Sequence, residues 1–180
     1  MSILVSLPGM GDSRSPSPMR RRAAHLRVVG PHGGRVLQLL DLENLVGGWA
    51  TAPNVRRVVQ PYAASGLVRP GDQCVAAVSR RFAASLFEVP AGWLKRVGGN
   101  GKDAADRALL SDVPVEWVAA RFDGVVIASG DEAFLDLAAG CRRAGLRVTT
   151  VRGKGGISTG LYLAGQEHLS LPCEVLAGLG

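Results

Sequence analysis

Four aspartates stand where their carboxylates could act together. Asp41 ends the apolar run VLQLL and Asp131 follows VVIASG, while Asp103 and Asp106 open the segment DAADRALL three residues apart, on one face of a helical turn. Singly, two of them have an ordinary explanation: Asp131 is placed to cap EAFLDL and Asp103 to cap AADRALL, since a carboxylate satisfies the free N–H groups and the positive end of a helix. Asp41 reads differently, because the glycines after it, Gly47 and Gly48, do not start an obvious helix. Asn44 can hydrogen-bond within its own turn. If Asp41, Asp106 and Asp131 converge, like charges repel in a partly desolvated cleft and something must neutralise them. A divalent cation does this, and oxygen ligands without His or Cys nearby suit a hard ion, Mg²⁺ or Mn²⁺. Such an ion positions and activates water and stabilises charge on a phosphorane-like transition state, which is phosphodiesterase chemistry.

The elements that must position these acids follow from the apolar pattern. RVLQLL, DQCVAAVS, DGVVIASGD and LRVTTV read as buried strands, and HLSL as a last one. Between them PNVRRVVQPYAASGL has helical spacing despite Pro61, and DEAFLDLAAGCRRAG reads as a helix closed by glycine. DAADRALLSDVPVEWVAARF also reads as helical, with Ala105, Leu109, Val113, Val115, Val118 and Ala119 as its apolar side and a break at Pro114. GISTGLYLAGQ is a short helix, and FAASLFEVPAGWLKRV gives no clear period. Strands alternating with helices imply an α/β fold whose central sheet is mostly parallel and covered on both faces. In such sheets ligands gather beyond the carboxyl ends of the strands, where neighbouring connections diverge. Asp41 and Asp131 both leave strands at that end.

A chain of 180 residues can build one domain with a real core. Residues 1–33, rich in Ser, Pro and Arg, are expected to be a disordered basic leader, and residues 34–180 the folded domain. The formal charge of +6 is mostly a property of that leader: residues 1–35 carry six arginines against Asp12, and the rest of the chain nets only +1. MRRRAAHLR could contact phosphates nonspecifically. No apolar run is long enough to span a membrane and no secretory signal opens the chain, so a soluble, cytoplasmic protein is expected. Cys74, Cys141 and Cys173 form no CxxC pair and suit small core positions. The turn GGNGKD is not a Walker A loop, because Arg96 stands where its first glycine belongs and Asp103 where Ser or Thr should follow Lys102. It serves instead to deliver Asp103 and Asp106, with Lys102 a phosphate contact. RGKGG is a basic turn from which Arg152 and Lys154 could hold a strand of RNA. Trp49, Trp93 and Trp117 are expected to pack, Trp49 nearest the acids.

Three segments in order, LLDLENLVGG, GKDAADRALL and VVIASGDEAFLDLAAGCRRAGLRVTTV, resemble the NYN domains of the PIN-like nuclease superfamily, in particular the small actinobacterial type. The resemblance runs from about residue 35 to 170. It implies a Rossmann-like, PIN-type three-layer sandwich, an acidic site for Mg²⁺ or Mn²⁺, and endoribonuclease activity on RNA. Matched residue by residue, Asp41 and Asn44 form the D-x-x-N start, Asp106 is the central acid with Asp103 its neighbour, and Ser129, Gly130 and Asp131 form the SGD turn. Asp41, Asp106 and Asp131 would then hold the ion, Asn44 would orient a carboxylate, water or phosphate, and Asp103 would assist. Two departures stand out. Ala133 occupies the place of a second aspartate in SGD-x-D-F, and the helix of GGISTGLYLAG lacks the arginines of that family. The first departure keeps an alternative open: a catalytically degenerate module that binds RNA or a protein partner without cutting. An aspartate-nucleophile phosphotransferase is disfavoured because Asp41 is followed by Leu42 and Glu43, not by the D-x-D signature.

Overall fold

In the computed structural model, which describes residues 34–179, six strands form one sheet in the order β3-β2-β1-β4-β5-β6, with every pairing parallel. The strands are β1 Val36–Asp41, β2 Gln73–Val78, β3 Leu94–Val97, β4 Gly124–Ala128, β5 Arg147–Arg152 and β6 Glu167–Ser170. The expected α/β architecture is therefore present, and the sheet is wholly parallel. The expectations for residues 1–33 lie outside the described residues.

Burial follows position in the sheet. β1 and β4, at its centre, are buried at every residue, as a strand covered on both faces must be. Successive side chains alternate between two cores. Val36, Leu40, Ala76 and Val126 face one core and Leu37, Leu39, Val75, Val125 and Ile127 the other. The first core is closed by α1 Leu42–Val46, α2 Ala52–Ala64, the 3₁₀ segment Arg80–Glu88 and the terminal α7 Cys173–Ala177. The second is closed by α3 Ala104–Leu110, α4 Val115–Ala119, α5 Leu135–Arg143 and α6 Thr159–Ala164. The result is a Rossmann-like three-layer sandwich. The chain leaves β1 toward one layer and β4 toward the other, so the carboxyl ends of these adjacent strands open a crevice at the topological switch point.

Local departures from the sequence expectations have identifiable causes. Pro61 stays inside α2, whereas Pro114 separates α3 from α4 in an extended conformation. Gly145, at φ +84°, makes the left-handed exit after α5 that a side chain would resist. Cys74 and Cys141 are buried as expected, but Cys173 is exposed, because α7 lies at the margin and buries none of its residues fully. Ala119 is also exposed at the end of α4. Among the described residues no helix is long and apolar enough to cross a membrane.

Candidate functional site

A cleft of about 780 Å³ lies over the carboxyl ends of β1 and β2, lined by Asp41, Glu43, Asn44, Asp103, Asp106 and Asp131, with Ser79, Arg81, Lys102 and Lys154 among its other walls. The acids reach it in different ways.

Asp41 is 4 % exposed. Contrary to expectation it is an N-cap: Leu42–Val46 is a helix of five residues, too short to show a period in the sequence, and the Asn44 amide donates to Asp41 Oδ1 at 3.1 Å. The Ser129 hydroxyl donates to Asp41 Oδ2 at 3.0 Å, and its oxygen accepts from the Asp131 amide at 3.1 Å. Ser129 is fully buried, so its hydroxyl couples the exits of β1 and β4 from inside the wall. Asp131 caps the next turn, accepting from the Ala133 amide at 2.9 Å. Asp103 does the reverse of its expected role. It precedes α3 at φ +58°, the one non-glycine residue with positive φ among the described residues, and makes no capping hydrogen bond. Aspartate is one of the few residues that tolerates this conformation.

The carboxylates of Asp103, Asp106 and Asp131 each place an oxygen within 4.8 Å of the others. Asp41 lines the same cleft, outside this trio but near enough for its charge to act on Asp106. Asp106 is 5 % exposed, and its Oδ1 meets no hydrogen-bond donor among the described residues. Burial, then the charges of Asp41, Asp131 and Asp103, push its pKa up to about 8. Burial also raises Asp41, against the hydrogen bonds from the Asn44 amide, Asp106 and Ser129. Burial and mutual repulsion thus raise both members of the pair, so that together they hold a proton more tightly than separate aspartates would. Three converging carboxylates, one of them with a buried oxygen that meets no donor, fit a hard cation: they supply an all-oxygen donor set and a surplus of negative charge that one divalent ion would neutralise.

Asn44 stitches the site together. Its Oδ1 accepts from the Gly130 amide at 2.9 Å, and its carbonyl accepts from the amides of Gly47 and Gly155, each at 3.1 Å. A Cβ on Gly130 would sit 1.6 Å from the Gly156 carbonyl oxygen, so the SGD turn needs glycine to let the loop after β5 close over it. That loop brings Lys154 to the cleft, where its Nζ donates to the Leu179 carbonyl at 2.7 Å. Lys102 also lines the cleft, whereas Arg152, exposed at the end of β5, does not. Ala133, Glu132 and Asp136 are exposed and outside the acidic group, so neither of these two acids replaces the one absent at 133.

Sequence reasoning passed over Glu43, Ser79 and Arg81. Glu43 Oε1 accepts from the Ser79 amide and its Oε2 lies 3.4 Å from Arg81, which ties α1 to the exit of β2. The signal was available in outline: Ser79 follows the strand DQCVAAV as Asp41 follows VLQLL.

No protein-family model matches this chain, and no curated protein matches it. Among solved structures it is similar to a protein of unknown function from Vibrio parahaemolyticus RIMD 2210633, at 14% identity and a TM-score of 0.49, over 85% of this chain and 98% of that one.

Proposed function

We propose that the protein is a metal-dependent endoribonuclease of the NYN type, hydrolysing RNA phosphodiester bonds at the β1–β4 crevice. The observation that carries this reading is the convergence of Asp103, Asp106 and Asp131, together with the buried, donor-free Oδ1 that Asp106 carries. A bound Mg²⁺ or Mn²⁺ would neutralise phosphate charge and make its water a nucleophile near neutral pH. The chain's own contribution is positional. Ser129 and the Asn44 amide fix Asp41, the Ala133 amide fixes Asp131, and burial confines Asp106 between them, whereas Asp103 stands exposed at the rim. Asp103, Asp106 and Asp131 are the proposed ligands, with the charge of Asp41 beside the central one. Lys102, Lys154 and Arg81 on the cleft walls supply positive charge for a polyanion.

The absent acid at Ala133 favours one competing reading, a module that binds RNA or a protein partner without cutting. Incubation with mixed single-stranded and structured RNA, in Mg²⁺, Mn²⁺ or chelator, separates the two. The nuclease reading expects metal-dependent cleavage that Asp106→Asn abolishes. RNA binding without cleavage in any metal, or cleavage unchanged in that variant, would contradict it.

A further inference from the structure

The two edges of the sheet are finished differently. At β6 the exposed side chains are polar: His168 lies stacked on Tyr162, with 3.9 Å between ring centroids, and Ser170 ends the strand, while Leu169 packs against the first core. At β3 the strand is apolar at both ends, Leu94 being 51 % and Val97 50 % exposed, with Lys95 exposed and Arg96 half-buried between them. Among the described residues β3 pairs with β2 alone. The Gly98 amide donates inward to the Val78 carbonyl at 2.8 Å, and donors alternate in direction along a parallel strand, so the amides of Lys95 and Val97 face outward. The edge therefore offers backbone donors and acceptors beside apolar contact area, a combination that templates a further strand. None of its four residues lines the acidic cleft.

The surroundings of the strand select its occupant by charge. Lys95 has no ion-pair partner among the described residues, and Arg96 donates to the Ala108 carbonyl at 2.7 Å and lies 3.6 Å from Asp112. A groove of about 540 Å³ between β3 and α3 is lined by Arg96, Val97, the exposed Arg107 and Asp112, so Lys95, Arg96 and Arg107 outnumber the one acid. A second copy fits poorly: paired antiparallel about a two-fold axis, Leu94 would meet the partner's Val97 and Lys95 would meet the partner's Arg96, a like-charge pair made twice. The complementary strand reads apolar, acid, acid, apolar, which is the same from either end. We infer that the edge of β3 takes up an extended acidic segment of a partner protein as a seventh strand, its two adjacent acids opposite Lys95 and Arg96 and its flanking apolar residues beside Leu94 and Val97. The outward amides supply the attachment and the charges supply the selection. Asp112, whose side chain is 79 % exposed, gives up its long contact with Arg96 at little cost. This surface is independent of the cleft chemistry, and loss of either leaves the other in place.

The test is binding of a short peptide with the core Val-Glu-Glu-Val to the full chain, followed by NMR, beside a Val-Lys-Lys-Val peptide and a Val-Glu-Glu-Val peptide whose backbone amides are N-methylated. The expected result is saturable binding of the first peptide at concentrations up to about 1 mM. Hydrogen-exchange protection should appear at the Lys95 and Val97 amides and stay unchanged at the Arg96 amide, which faces β2. The lysine peptide and the methylated peptide should bind about fivefold or more weakly, and Lys95→Glu should weaken the acidic peptide by a similar factor. Val97→Pro should abolish binding while leaving β3 paired with β2, because an edge strand tolerates proline where the lost N–H faced solvent. If that variant melts earlier than the wild type, the methylated peptide makes the same test without altering the protein. No saturable binding at that concentration, equal binding of the lysine peptide, or protection at the cleft in place of β3 would overturn the inference. A dimer seen by sedimentation that protects the same amides without peptide would also overturn it, since a second copy would then be the occupant.

Discussion

Two buried polar clusters flank β1, and they are finished differently. Toward the amino end of the strand, Gln38 is fully buried, and its Nε2 donates to the Leu67 carbonyl at 2.8 Å and to Asp72 Oδ2 at 3.0 Å. Its Oε1 accepts from the Tyr62 hydroxyl at 2.7 Å. Asp72 in turn accepts from the amides of Val36 and Arg69, each at 3.0 Å. Burial holds the Tyr62 phenol well above its usual pKa of 10.0, so it stays a neutral donor. Toward the carboxyl end, Asp41 is nearly as dry, but its neighbour Asp106 keeps a bare oxygen, and burial beside other carboxylates raises its pKa. A satisfied network rigidifies a fold, whereas a half-satisfied one costs free energy that a folded protein would not carry without a use. On the proposed reading, the carboxyl end is the one left to be completed by a cation.

If that contrast is right, substitutions at the two ends separate activity from stability. Asp106→Asn should lower RNA cleavage by about a hundredfold or more, since it removes a central ligand charge, while leaving the melting temperature of the metal-free protein unchanged or higher. A parallel loss of cleavage and stability would erase the distinction. Tyr62→Phe should do the opposite, costing about 1–3 kcal/mol by leaving Gln38 Oε1 without its donor, with Mn²⁺ affinity intact. Denaturant melts of both variants check the pair.

The pH dependence sharpens the same point. Native Asp106 holds its proton to about pH 8, whereas an ordinary aspartate loses it near 3.8. Between those values the native state binds more protons than the unfolded one, so the stability contributed by this group is full below about pH 4 and is lost as pH rises toward 8. Melts of the metal-free protein from pH 5 to 8.5 should show that decline, and Asp106→Asn should flatten it. A smaller effect is expected at the missing acid. Ala133→Asp should tighten Mn²⁺ binding several-fold if position 133 faces the site, on the order of 1 kcal/mol. No gain, read by calorimetric titration, would mean the three acids present already make a complete ligand set.

The buried strands were legible because β1 and β4 are apolar at nearly every residue, and the parallel sheet followed from strands alternating with helices, whereas the order that sets β1 beside β4 was not. The edge was not: β3 is mostly exposed, with Leu94 and Val97 in solvent, so LKRV carries no burial period to read. Within the site, the sequence located the acids but exchanged their roles. Asp103 looked like a cap and Asp41 did not, because a cap is recognised by the helix after it. The five-residue α1 leaves no trace in the apolar pattern, while the left-handed turn at Asp103 is invisible before the backbone is known. Glu43 and Ser79 escaped notice because their pairing joins residues 36 apart.

The central claim, that the acids converge to hold one hard cation, is tested most directly by titrating Mn²⁺ into the metal-free protein at pH 7 by calorimetry in buffers of different ionisation enthalpy. One saturable site is expected, releasing close to one proton, the one held by the Asp41–Asp106 pair, and absent in Asp106→Asn. Saturable binding that releases no proton and survives in Asp106→Asn, or no binding at all, would contradict it.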